Sequence, residues 1–195
     1  MQLSDHKEGF SRLAGEAGSD LGTLPVQAVK SISLRHLAMT WRKLQSAAAE
    51  LPRFESFQPG ERSHDLNRTV LWRVKERDGV RSFAPAFKGA HIIEAFGQRV
   101  YLDLIASQAL RDIITSGLED CAASVSPVYM TIESPDPNNH PIECERLLLP
   151  FGEGSAVRHI FAAIEISSIA GTFDRKTIVK RFELQSRVTM CGRVA

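Results

Sequence analysis

Several groups of residues have types and spacings that could do chemistry. Gly152-Glu153-Gly154-Ser155-Ala156-Val157 copies the opening of a dinucleotide fingerprint, in which glycines let the backbone approach a pyrophosphate seated on a helix N-terminus. The third glycine is missing and the run joins two extended segments, so a plain hairpin turn is expected. His140, Glu143 and Glu145 carry groups that ligate metals. His140 lies in a Pro/Asn turn, the two glutamates alternate along a strand, and no third convergent imidazole or thiolate is in sequence reach. A solvated turn and strand-edge charges are expected, and no metal. His91 and Glu94 stand one helical turn apart, a spacing that could orient a ligand; a surface or pocket-rim histidine is the plainer reading. Cys121, Cys144 and Cys191 are odd in number and widely spaced, which gives neither a disulfide framework nor a Cys-x-x-Cys zinc pair. Without a Gly-x-Ser-x-Gly, a His-Glu-x-x-His or a P-loop, the chain is not expected to be an enzyme.

The composition bounds the rest. The chain has 195 residues, 43% hydrophobic and 24% charged, with a net charge of +1. That excludes global disorder, collagen and low-complexity arrays, and predicts one domain of ordinary size plus some extra chain. A dedicated nucleic-acid binder shows a basic excess that this chain lacks, so no nucleic-acid partner is expected. No apolar run approaches the ~20 residues of a membrane helix, and Met1 to Glu8 has no apolar core of a secretory signal. With sparse cysteines, a cytoplasmic location without membrane insertion is expected.

The elements that must position these residues follow from periodicity. Residues 1–27, with Gly9, Gly15, Gly18, Gly22 and Pro25, are expected to be a flexible tail. Leu34, Leu37, Trp41, Leu44, Ala48 and Leu51 recur at alternating spacings of three and four, one face of a helix over 28–51, which Pro52 ends. Two β-rich runs near 70–75 and 80–87 flank Asp78-Gly79, a hairpin signal. A short helix at 91–96 is closed by Gly97, and a longer one at 107–123, capped by Ser107, turns Leu110, Ile113, Ile114 and Leu118 inward. Strands near 127–133, 142–150 and 158–167 come next, hairpin after hairpin, hence antiparallel. Their apolar residues fall on both parities, so each face of the sheet needs a cover: the middle helices on one, the 28–51 helix on the other. Residues 168–195 carry six basic residues against Asp174 and Glu183 and read as a basic C-terminal tail.

Two strands, a helical excursion and three strands is the order of a PAS domain. Gly89-Ala90-His91-Ile92-Ile93-Glu94-Ala95-Phe96-Gly97 resembles the glycine-to-glycine segment of the bacterial PAS-5 type subfamily, and Tyr101-Leu102-Asp103-Leu104 its following segment. Glu145-Arg146-Leu147-Leu148-Leu149-Pro150 is similar to its most recognisable strand, and Trp41-Arg42 with Leu51-Pro52 to its tryptophan-bearing helix and the break after it. Phe54 to Gln58 departs from the family, lacking its acidic spacing. The resemblance implies an α+β fold over 28–167: a PAS-like five-stranded antiparallel sheet with helices on one face and the N-terminal helix packing on the other. It implies a stand-alone sensory or interaction module without catalytic residues, signalling by contact with a partner protein.

A concave sheet facing short helices is a usual setting for an apolar ligand pocket. Trp72, Phe87, Ile92, Phe96, Leu104, Ile114, Met130, Leu148 and Ile164 are expected to line it, around a small apolar ligand. Related domains hold haem or flavin. Haem wants a pocket histidine, for which only His91 is a candidate, and Cys121 is not in the Asn-Cys-Arg motif of flavin photochemistry, so no cofactor is assigned. The alternative is a ligand-free adaptor acting through its N-terminal helix and outer sheet face. The Leu34, Leu37, Trp41 and Leu44 seam has the spacing of paired helices, and a homodimer through it is expected.

Overall fold

The computed structural model describes residues 21–48, 50–58, 66–96, 108–135, 140–168 and 186–195. Thr23–Leu24 forms β1 and Ile32–Ala48 forms α1. The hairpin strands β2 (Thr69–Arg77) and β3 (Val80–Lys88) precede the helices α2 (Ala90–Phe96) and α3 (Gln108–Ser124). Then come β4 (Val128–Pro135), β5 (Pro141–Glu153), β6 (Ala156–Ser168) and β7 (Arg187–Val194). Asp78 and Gly79 both have positive φ, 53° and 76°, the geometry of a type I′ turn, whose twist matches that of its flanking strands. No helix among the described residues is long and apolar enough to cross a membrane.

The seven strands form one sheet in the order β1-β7-β4-β5-β6-β2-β3. This overturns the expected five-stranded antiparallel PAS-like sheet: β7 pairs antiparallel with β4, and β1 pairs parallel with β7, making the sheet mixed. The reason lies at the edge of β4, whose residues from Val128 to Ile132 are buried. An open edge beside such a core invites pairing, and Val188, Thr189 and Val194 supply the β-branched chain to close it. The tail assignments at 168–195 and 1–27 are corrected accordingly. Residues 187–194 and 23–24 belong to the sheet, with Arg187 paired to Glu133 and the Arg193 guanidinium donating to the Leu21 carbonyl. Residues 1–20 and 169–185 lie outside the described residues.

Successive residues of a strand face opposite ways, and here both faces are covered. Leu147, Leu149 and Phe151 of β5 join Phe161, Ala163 and Tyr129 in the core beneath α1. Leu148 joins Val128, Ile160 and Ala162 beneath α3. Ser31 caps α1, its Oγ accepting from the Leu34 N–H at 3.3 Å. The Trp41 indole donates to the Pro150 carbonyl at 2.6 Å, fixing the helix to β5. The connector after α1 is pinned by Leu51 N–H to the Gly154 carbonyl and Gly152 N–H to the Pro52 carbonyl, and by Phe57 against Phe151, ring centroids 4.9 Å apart.

The residues of the expected dimer seam are packed inside the chain. Leu34, Leu37 and Trp41 are at most 1% exposed, against the chain's own sheet, and Leu44 packs on the same cluster. The outer sheet face is apolar enough to demand a cover, and a helix of the same chain fills it. The seam itself is buried within the chain, while Ile32 and Met39 of the same helix remain exposed.

Candidate ligand site

The candidate site lies between α3 and the inner face of the sheet. Of the expected pocket residues, Trp72, Ile92 and Leu148 share one buried cluster, with Ile114 and Ile164 packed on it. Met130 lies in the adjoining cluster, which Ile114 and Ile164 also touch. Six of the nine are thus brought together. Phe87 is not: it is 47% exposed on the edge strand β3. The cause is a bulge. Trp72 pairs with Pro85 but Leu71 pairs with Phe87, leaving Ala86 as an extra residue. One extra residue turns the following side chains to the other face, so Phe87 leaves the face that Phe83 keeps. The Phe96 side chain and all of Leu104 lie outside what the structure describes.

Two polar groups on this inner face have no place in a purely apolar core. The Trp72 side chain is buried, and among the described residues its indole N–H has no acceptor. Arg146, only 4% exposed, was legible in the sequence only as part of the Glu-Arg-Leu-Leu-Leu-Pro run. The alternation of β5 aligns it with Cys144 and Leu148. Its Nη1 donates to the Ile114 carbonyl of α3 at 3.3 Å, and among the described residues no carboxylate pairs with it. Burial pushes its pKa down to about 10, against the pull of Cys144, Cys121 and Cys191.

Those three thiols therefore come together around one guanidinium, from α3, β5 and β7. Burial dominates their chemistry too: it pushes Cys144 up to about 12 and Cys191 up to about 11, and raises Cys121, with Arg146 pulling the other way in each case. Neutral thiols are weak nucleophiles, so this cluster is not a reactive one. All three are free.

On the opposite face the acidic residues serve α1. Glu145 Oε2 accepts from the Tyr129 hydroxyl at 2.6 Å and from the Ser31 N–H at 2.9 Å. Burial first, then that bond, raises the Tyr129 pKa. Glu143 pairs with Lys30, and Glu165 with Arg68 while accepting from Ser33 Oγ at 2.9 Å. Carboxylates at a helix N-terminus are favoured by its dipole, and this placement explains Glu143 and Glu145 without a metal. His140 is exposed, and among the described residues no group of three His, Cys, Asp or Glu could hold one. His91 is half-buried on α2 and Glu94 exposed.

The glycines of the 152–157 run belong to the β5–β6 hairpin. A Cβ on Gly152 would lie 1.9 Å from the Ala156 carbonyl oxygen, and Gly154 has a φ of +58°. A strand, not a helix, follows, so a pyrophosphate would find no helix N-terminus. An open groove of about 230 Å³ beside this turn is lined by Val74, Glu76, Arg81, Ala122, Val157 and Arg158, among others. It lies away from Arg146, and Arg81 is spent on Glu76 and Glu119. No family model matches the chain, and neither does any curated protein or solved structure, so its function is read from its own side chains.

Proposed function

We propose that this chain is a sensory or interaction module without catalysis of its own, which holds a small, largely apolar ligand between α3 and the inner sheet face and signals by protein contact. The observation that carries it is the Trp72 indole N–H, buried and without an acceptor among the described residues, on a face otherwise lined by Ile92, Leu118 and Leu148. An unmatched buried donor costs about 1–3 kcal/mol, a cost that a ligand acceptor would remove. The resemblance of the 89–97 and 145–150 runs to the PAS-5 type subfamily supports the same reading. Native mass spectrometry of the purified full chain tests it. A reproducible excess mass, reduced in Trp72→Phe, is expected; a bare chain in every preparation would overturn it.

A further inference from the structure

Going beyond that reading, and on the opposite face of the sheet, we propose that the outer side of β2 and β3 binds a single-stranded polynucleotide. The starting point is a separation of charge. A strand sends alternate residues to opposite faces, and Leu71, which packs on the α1 side, fixes the parity of β2. Arg73, Lys75 and Arg77 follow on that side, and all three are exposed. Two residues of strand span about 7 Å, so the cations form a line of roughly 13 Å. Their cross-strand partners on β3 are Ala84, Ser82 and Val80, and Arg73 meets His159 on β6. None of these is a carboxylate. Among the described residues Arg73 and Lys75 make no ion pair. Arg77 stands 3.6 Å from Asp78, with the two side chains 93% and 90% exposed, a pair that salt screens. The acid of this strand, Glu76, lies on the other side, where it shares Arg81 with Glu119. A net charge of +1 argues against a uniformly basic protein, but binding follows the distribution of charge, and this face is basic.

The rings beside this line say what kind of polyanion fits. Phe87, in register with Leu71 and so in the row next to Arg73, is 47% exposed. On the other side of the line, Phe54 and His159 are half-buried, with ring centroids 6.1 Å apart. Cations track a phosphate backbone and aromatic faces stack its bases, with little dependence on sequence. Stacking needs unpaired bases, which selects a single strand. α1 stands on β5 and β6, leaving β2 and β3 as a shelf beside it. A flexible strand can lie along that shelf and reach rings half-sunk in its floor, whereas a flat bilayer cannot. An acidic protein would match the charge and leave the rings unused.

The test is fluorescence anisotropy of a labelled twelve-nucleotide oligothymidylate, titrated with the full chain at pH 7 over a series of salt concentrations. Three phosphate contacts predict a slope of log affinity against log salt of about −2, from about −0.7 per contact on a single strand. Arg73→Gln combined with Lys75→Gln is expected to bring the slope to about −0.7 and to lose about tenfold or more in affinity at low salt. Phe87→Ala is expected to lose about fivefold or more with the slope unchanged, because a stacking surface carries no charge. Arg158 is an exposed cation on the opposite face, which it shares with Ile160; Arg158→Gln is expected to bind as the wild type does. No binding of the oligonucleotide at low salt refutes the proposal, whether or not phosphatidylserine vesicles are bound instead. A loss in Arg158→Gln as large as in the Arg73/Lys75 double variant refutes it too, since the charge would then be read from either face. Polyglutamate of equal charge, bound as tightly as the oligonucleotide, would show a surface that reads charge alone and overturn the assignment. If Phe87→Ala does not fold, Phe87→Trp takes its place: the oligonucleotide must quench its indole emission, and an unchanged spectrum refutes the stacking and the proposal with it.

Discussion

Glu145 and Arg146 are adjacent, oppositely charged and both buried, at 7% and 4% exposure, yet they do not pair. The pleat of β5 sends them to opposite faces of the sheet. Glu145 reaches the N-terminal end of α1, where Ser31 and Tyr129 donate to it. Arg146 reaches α3, where a carbonyl is its acceptor. One strand thus spends its anion on the N-terminal end of α1 and turns its cation towards α3.

Tyr129→Phe removes the hydroxyl that donates to Glu145 at 2.6 Å and leaves the buried carboxylate with the Ser31 N–H. Hydrogen bonds to charged groups contribute about 1.5–3 kcal/mol. Urea denaturation is expected to show a loss of that size. A midpoint equal to that of the wild type would mean that the bond contributes nothing.

Stability is expected to fall as pH rises above about 9. An unperturbed thiol loses its proton near ~8.5, whereas Cys144 in the fold holds its proton to about 12 and Cys191 to about 11. Between these limits the unfolded chain binds fewer protons, so the folded state loses about 1.4 kcal/mol per pH unit for a fully buried thiol, and less for half-buried Cys191. Tyr129, also raised, adds to the loss above its ordinary value of about 10. Arg146 has the opposite sign: above about 10 the folded state sheds a proton that the unfolded guanidinium keeps, which partly offsets the fall. Thermal melts from pH 7 to 10 should decline from about pH 9, more shallowly in Cys144→Ala. A flat profile in the wild type would contradict the burial of the thiols.

Trp41→Ala is expected to destabilise the single chain rather than an assembly. The ring is 1% exposed and its indole donates to Pro150, so the loss should reach about 3–5 kcal/mol. Sedimentation below the unfolding midpoint is expected to be the same as for the wild type. A well-folded variant that differs only in association state would reinstate this helix as an interface.

Gly152→Ala is expected to disrupt the β5–β6 hairpin, because the new methyl would fall 1.9 Å from the backbone oxygen of Ala156. That neighbour is backbone and cannot swing aside, so a cost of about 3 kcal/mol or more is expected, at the top of the overpacking range. Gly154→Ala meets open space but a left-handed φ and should cost about 1 kcal/mol. Chemical denaturation of the two variants checks the order; a harmless Gly152→Ala would refute the close approach.

Removing residues 186–195 takes away β7, the partner of both β4 and β1. The shortened chain is expected to aggregate or to lose its cooperative transition, as an open edge beside a buried strand would. A truncated chain that unfolds at the wild-type urea midpoint would show that the sheet does not need its seventh strand.

Local periods were readable in the amino-acid order alone. The three-and-four spacing of Leu34, Leu37, Trp41 and Leu44 marks a helix and its buried side, Asp78-Gly79 marks a two-residue turn, and mixed parity in β5 and β6 marks strands covered on both faces. Each is a property of neighbouring residues, set by the geometry of one element. Four features were decided only by the tertiary structure. The parallel pairing of β1 with β7 joins segments from opposite ends of the chain, one of them too short to show a period. β7 hid behind Arg187 and Arg193, whose charges suggested a solvated tail until the edge of β4 required a partner. The extra residue at Ala86 is invisible without its partner strand, yet it turns Phe87 out of the site. The gathering of Cys121, Cys144 and Cys191 around Arg146 needs α3, β5 and β7 in place at once. A period says which way a side chain faces within its element; what it faces is settled by which elements share a core.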